Sequence, residues 1–245
     1  MHTPTDISHQ NQIGKIIVIE GSDGTGKETQ AKMLKENLEK LGHTVGTLSF
    51  PRYTSETVGG RLLYHTIKSE HADKYMLSTV TPYSASLLYV MDRVESKPLI
   101  QELLEKYEYV IMDRYYTANL LHQGAKFEDT LERNKFLDTM YNIETIQLEI
   151  PKADIVFYLT LPLQVTLSRM EKRRIETGEA INQTERDHDY LTNSIERGLD
   201  IAKHLGWNII QGVEFASNGT TVTKEYSKEE RQEQILTILK SKSFI

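Results

Sequence analysis

One short segment limits the possible folds more than any other. Gly21-Ser22-Asp23-Gly24-Thr25-Gly26-Lys27 fits the pattern G-x-x-x-x-G-K of a phosphate-binding loop. Residues 15–20 before it form a near-continuous apolar run, which predicts a strand buried on both faces, as in a parallel sheet. Residues 27–41 after it place Ala31, Leu34, Leu38 and Leu41 on one helical face, with Gly42 as the stop. Strand, glycine-rich turn and helix together put backbone N–H groups and a helix N-terminus around a phosphate. Lys27 is then placed where it can bridge transferring phosphates. The loop residues Gly21, Ser22, Asp23, Gly24, Thr25, Gly26, Lys27, Glu28 and Thr29 are therefore candidates for nucleotide contact.

Further strands are expected at 44–50, 109–112, 155–159 and 208–210, with helices between them. Helical periodicity over 84–105 is bent or interrupted at Pro98. Another helix carries Leu191, Ile195, Leu199 and Ala202 and closes at Gly206. Asn218-Gly219 reads as a hairpin tip, and Ser227 with Glu230 as a capping box opening a last helix. Alternating strands and helices predict a three-layer α/β fold around a five-stranded parallel sheet. Residues 1–14 read as a flexible N-terminal tail and 15–245 as a single domain.

Composition narrows the function. A net charge of -6 argues against nucleic acid as a partner, since such binding draws on Lys and Arg. There is no cysteine, which excludes thiolate metal sites and thiol nucleophiles and leads us to expect a cytoplasmic protein. No apolar run is long enough for a membrane span. A guanine-reading N-K-x-D is absent, which argues against a GTPase switch.

The strand at 109–112 runs into Asp113-Arg114, at the sheet edge where ligands bind in parallel α/β folds. Asp113 is a candidate to hold magnesium or its waters, and Arg114 to grip phosphate through parallel hydrogen bonds. The alternative for the pair is a salt bridge at a helix start. The residue after Lys27, usually Ser or Thr on the metal, is Glu28. It either joins the metal's coordination or turns into solvent, and we expect the second.

Several short motifs, in order, resemble the thymidylate kinase family. These are Glu20 through Gln30, Phe50-Pro51-Arg52-Tyr53, Leu87-Leu88-Tyr89-Val90-Met91-Asp92-Arg93, Asp113-Arg114-Tyr115, His122-Gln123-Gly124 and Ile150-Pro151-Lys152-Ala153-Asp154. The resemblance covers residues 15–212. It implies phosphoryl transfer from ATP, with Mg2+, to dTMP, and a homodimer formed through helices that include 84–105. It also implies residue roles. Asp23 would accept from the acceptor's 3'-hydroxyl, and Arg52 and Arg114 would hold its phosphate. Phe50 and Tyr89 would pack on base and sugar, Arg93 would donate to a thymine carbonyl, Asn119 and Gln123 would read the base edge, and Tyr190 would line the sugar pocket. A lid over about 169–185 would bring Arg169 and Arg173 onto the moving phosphoryl group. Lys27, Arg114, Arg169 and Arg173 thus form the expected catalytic set. The rivals are a kinase of another nucleotide or deoxynucleoside on the same fold, or a non-catalytic relative.

Overall fold

The computed structural model describes residues 14–53, 57–68, 80–177 and 188–245. Five parallel strands form the central sheet: β1 (Lys15–Gly21), β2 (Val45–Ser49), β3 (Tyr109–Asp113), β4 (Ile155–Thr160) and β5 (Asn208–Gln211), in the order β2-β3-β1-β4-β5. The register aligns Ile19 of β1 and Ser49 of β2 with Asp113 of β3. Three strand ends therefore open on one edge, beside the point where the chain's path across the sheet reverses.

The expected burial of β1 on both faces is borne out, because its alternate side chains enter two different cores. Ile17 and Ile19 pack with Leu34, Leu38, Phe157, Ile235 and Leu239, on the side of α1 (Lys27–Lys40). Ile16 and Val18 pack with Ile100, Leu104, Phe136, Leu137 and Met140 on the other side. Helices on both faces complete three layers.

Between β2 and β3 lie α2 (Val58–Leu63), α3 (Pro82–Glu95) and α4 (Lys97–Lys106). The interruption expected at Pro98 falls at Ser96, which ends α3 and starts α4. Proline lacks an N–H, so it sits without penalty in the first turn of α4, where that N–H would have no helical partner. After β3 comes α5 (Tyr116–Ala118), which runs on as a π-helical turn, Asn119–Gln123. Then follow α6 (Thr130–Asn142), α7 (Leu163–Thr177) and α8 (His188–His204). A small antiparallel pair, β6 (Val213–Phe215) and β7 (Val222–Glu225), turns at Gly219 (φ 71°), as the Asn-Gly pair suggested. The last helix, α9 (Lys228–Ser241), opens with the expected capping box of Ser227 and Glu230.

One expectation for α1 fails. Leu41 does not join the buried face; it caps the helix end and is 58% exposed. The helix stops there, so the next periodic position no longer points at the sheet.

Candidate functional site

The phosphate loop leaves β1 with positive φ at Gly24 (78°) and Gly26 (88°), a region that side chains rarely adopt. Thr25 Oγ1 donates to the Ser22 carbonyl at 2.8 Å, and Lys27 Nζ to the same carbonyl at 2.8 Å. The lysine stands 3.7 Å from Asp23 Oδ1. Burial lowers its proton affinity to about 8, and the nearby Arg114 charge adds to this; Asp23, Asp113 and Glu20 act the other way. Lys27 is thus a cation held where water scarcely reaches it.

Arg114 follows directly from the end of β3 with φ 63°, a left-handed conformation that costs energy for a residue with a side chain. That backbone aims its guanidinium between Asp23, which accepts from Nη2, and His122, whose Nε2 meets Nη1. His122 is nearly fully buried. Burial, then the Arg114 charge, lowers its pKa to about 3, so the ring stays neutral and accepts from the arginine.

Glu20 ties this floor together from below. Fully buried, it accepts from Thr117 Oγ1 at 2.6 Å and from the Tyr115 N–H at 3.2 Å. Burial raises its pKa, opposed first by Arg114. Neither Glu20 nor His122 received a role from sequence, although both sit in motifs noted there. Their signal was only position: the last strand residue before the loop, and a neighbour of Gln123.

At the far end of the cleft, Arg93 is 2% exposed and its fork is spent on Glu144. Nε donates to Oε2 at 2.6 Å and Nη2 to Oε1 at 2.8 Å. Arg93 thus sits in a buried ion pair. The same Glu144 Oε1 accepts from Asn119 Nδ2 at 2.9 Å, and the Ser86 carbonyl takes that amide at 3.3 Å. With its N–H groups held there, Asn119 has its amide oxygen left to offer, while Arg93 retains Nη1. Gln123 lines the cleft too, with a buried Oε1 that has no partner among the described residues. Glu144 was missed in sequence because it lies in a π-helical turn, Ile143–Gln147, far along the chain from its partners.

These groups share one cleft of about 480 Å³. Asp23, Gly24, Gly26, Lys27, Glu28 and Thr29 line it at the loop, with Asp113 and Arg114 on the floor. Phe50, Tyr89, Arg93, Asn119 and Gln123 line the other end, joined by Tyr53, which had no assigned role. Burial holds the Tyr53 and Tyr89 hydroxyls in their protonated form. Gly21, Ser22 and Thr25 sit behind the lining, buried. Arg52 is not among the described residues that line the cleft. Its N–H donates to Asp92 Oδ2 at 2.8 Å and its Nη1 to Ser96 Oγ at 3.0 Å. Glu28 is exposed at the rim. Asp113 Oδ1 is buried without a hydrogen-bond partner among the described residues.

From α7, Arg169 lines the cleft and pairs with Glu225 Oε2 at 3.2 Å. Met170 packs over the loop so closely that a Cβ on Gly24 would lie 2.8 Å from its Cγ. The side chains of Arg173 and Tyr190, and residues 178–185 of the expected lid, lie outside the described residues.

A family model described as thymidylate kinase matches residues 19–218. The thymidylate kinase of Mycobacterium tuberculosis (strain ATCC 25618 / H37Rv) is 31% identical over 173 residues, covering 70% of this chain and 78% of that protein. A probable thymidylate kinase of Pyrococcus abyssi is 29% identical over 229 residues, 93% of this chain and 96% of its own length. Among solved structures, thymidylate kinase from Candida albicans superposes with a TM-score of 0.64 at 23% identity, covering 94% of this chain and 92% of that one.

Proposed function

The chain belongs to the thymidylate kinase family, and on that premise we propose that it moves the terminal phosphoryl group of ATP onto the phosphate of dTMP, giving ADP and dTDP. The observation that carries this reading is the single cleft. Its phosphate loop and its Arg93–Asn119–Gln123 end are joined by a floor that carries Arg114, so two substrates entering from opposite ends bring their phosphates together there.

The chemistry asks little covalent work of the protein. The second proton of a phosphate monoester leaves near pH 6, so the dTMP phosphate is already a nucleophile at neutral pH. One of its oxygens attacks the terminal phosphorus of ATP while the bond from that phosphorus to the ADP oxygen breaks. No general base is needed. Catalysis is positioning and charge stabilisation. Lys27 faces the transferring phosphates from the loop. Arg114, preorganised by Asp23 and His122, serves the acceptor phosphate. Arg169, with Arg173, adds positive charge from the lid; both Arg169 and Met170 already reach the loop side of the cleft.

Magnesium fits the residues present. It keeps several waters and takes phosphate oxygens, so an oxygen of Asp113 at the cleft wall, buried and with no hydrogen-bond partner among the described residues, is enough of a protein anchor. When bound it would neutralise charge on the phosphates. Glu28, exposed at the rim, is left out of that set.

At the other end, the Arg93 donors and the Asn119 acceptor suit a base with a carbonyl beside an N–H, as in thymine, and oppose the amino group and bare nitrogen of cytosine. We further read the chain as a homodimer. Tyr83, Leu87, Met91 and Val94 recur on one face of α3, and Leu87 and Met91 are 54% and 44% exposed. The cysteine-free sequence supports a cytoplasmic setting.

A coupled assay of ADP release over dTMP, dUMP, dCMP, dAMP and dGMP tests the reading. The highest kcat/KM is expected for dTMP; preference for a purine or cytidine nucleotide, or no turnover, would overturn it.

A further inference from the structure

The C-terminal helix α9 lies beyond the span matched by the family model, which ends at residue 218, yet it reaches the phosphate loop. The contact is made by Arg231, which is 2% exposed. Its Nη1 donates to the Thr25 carbonyl at 2.7 Å, and its Nη2 lies 2.7 Å from where a Cβ on Gly26 would stand. A side chain there would push the guanidinium from its present position on the loop.

The surroundings of this charge are unusual. Its Nε is buried without a hydrogen-bond partner among the described residues. None of the ion pairs among those residues includes Arg231. The charge that does act on it is that of Arg169, another cation; burial first, then Arg169, lowers its pKa to about 10. It remains charged at neutral pH. A buried charge without a counterion is costly unless something of opposite sign arrives.

The backbone points to what arrives. The Thr25 carbonyl and the Gly26 N–H belong to one peptide group, and Gly26 lines the cleft. In loops of this kind, successive N–H groups turn toward the anion. A charge-assisted hydrogen bond on the carbonyl fixes that peptide's orientation and strengthens its N–H as a donor.

We propose that Arg231 is a positioning residue for the nucleotide phosphates, holding the Thr25–Gly26 peptide toward the cleft and supplying a buried positive charge that the phosphates balance. The proposal rests on the loop being the ATP site. It assigns to the C-terminal helix a direct part in nucleotide binding.

The test compares wild type with Arg231→Met in the full chain, by thermal melting with and without ADP, by ADP titration calorimetry, and by KM for ATP and dTMP. Removing a buried charge that has no ion-pair partner among the described residues should leave the ligand-free variant as stable as wild type or more so. ADP affinity should fall about tenfold or more, with a smaller ADP-induced rise in Tm and little change in KM for dTMP. A merely structural arginine gives the reverse. A variant that melts well below wild type without ligand, yet binds ADP as wild type does, overturns the proposal. Arg231→Gln removes the charge and shortens the side chain while leaving a polar amide in its place, and it carries the same test if Arg231→Met does not fold. Undiminished ADP affinity in Arg231→Gln overturns the proposal while leaving the kinase reading intact. Wild-type protein that fails to bind ADP brings down both.

Discussion

At the residue scale, the cleft works by holding charges in places where water cannot stabilise them. Lys27 is the clearest case. Burial favours its neutral amine, so in the free enzyme the positive charge is lost as pH rises through about 8. Because kcat/KM reports groups of the free enzyme, kcat/KM for ATP should fall above pH 8, and a pH–rate profile checks it. An unchanged profile to pH 9.5 would show that Lys27 keeps its proton. His122 gives a stability prediction of opposite logic. Its pKa is about 3 folded, against about 6.5 for an unperturbed ring, so between these values the unfolded chain binds the extra proton. Its contribution is present above about pH 6.5 and lost as pH falls toward 3. Denaturant melts from pH 7 to 5 should show a stability loss of up to about 1.4 kcal/mol per pH unit from this ring, and His122→Gln should flatten that slope. Arg93 tests the base end. Arg93→Ala leaves Glu144 buried without its cation, so about 3–5 kcal/mol of stability should go with it. In the folded fraction, KM for dTMP should rise while KM for ATP stays near wild type, as separate titrations of each substrate would reveal.

At the scale of elements, local chemistry placed helix ends better than helix packing. The Ser227–Glu230 capping box formed as its spacing implied, satisfying donors at the start of α9. Ser227→Ala should cost about 1 kcal/mol in urea unfolding. Since α9 carries Arg231 to the loop, the same variant should also weaken ADP binding slightly if the helix start frays. The break between α3 and α4 was legible from Pro98, but only approximately; Ser96 took the junction because its side chain donates to the Asp92 carbonyl at 2.7 Å and receives Arg52 at 3.0 Å. The π-helical turns at Asn119–Gln123 and Ile143–Gln147 had no readable signature. They bring Asn119 and Glu144 together, which no helical periodicity would suggest.

At the scale of the whole molecule, the exposed stripe of α3 sets an expectation for assembly. Leu87→Glu with Met91→Lys should convert a dimer to a monomer in sedimentation equilibrium; wild type that is already monomeric would remove the homodimer reading. The sequence by itself determined the sheet, because strands buried on both faces must read as apolar runs, and it determined the phosphate loop, because glycine adopts its φ angles without the strain that a side chain would bring. It also placed Asp113 and Arg114 at a strand end, where parallel sheets open toward ligands. What it could not determine were the partners. That Arg93 is pinned by Glu144, that Arg114 lies between Asp23 and His122, that Arg52 turns to Ser96, and that Arg231 reaches the loop across 206 positions are facts of distance in space. A charged residue's type announces that it needs a counterpart. Which counterpart it finds depends on how the layers pack, and that is decided only when the tertiary structure brings distant segments within a few ångströms.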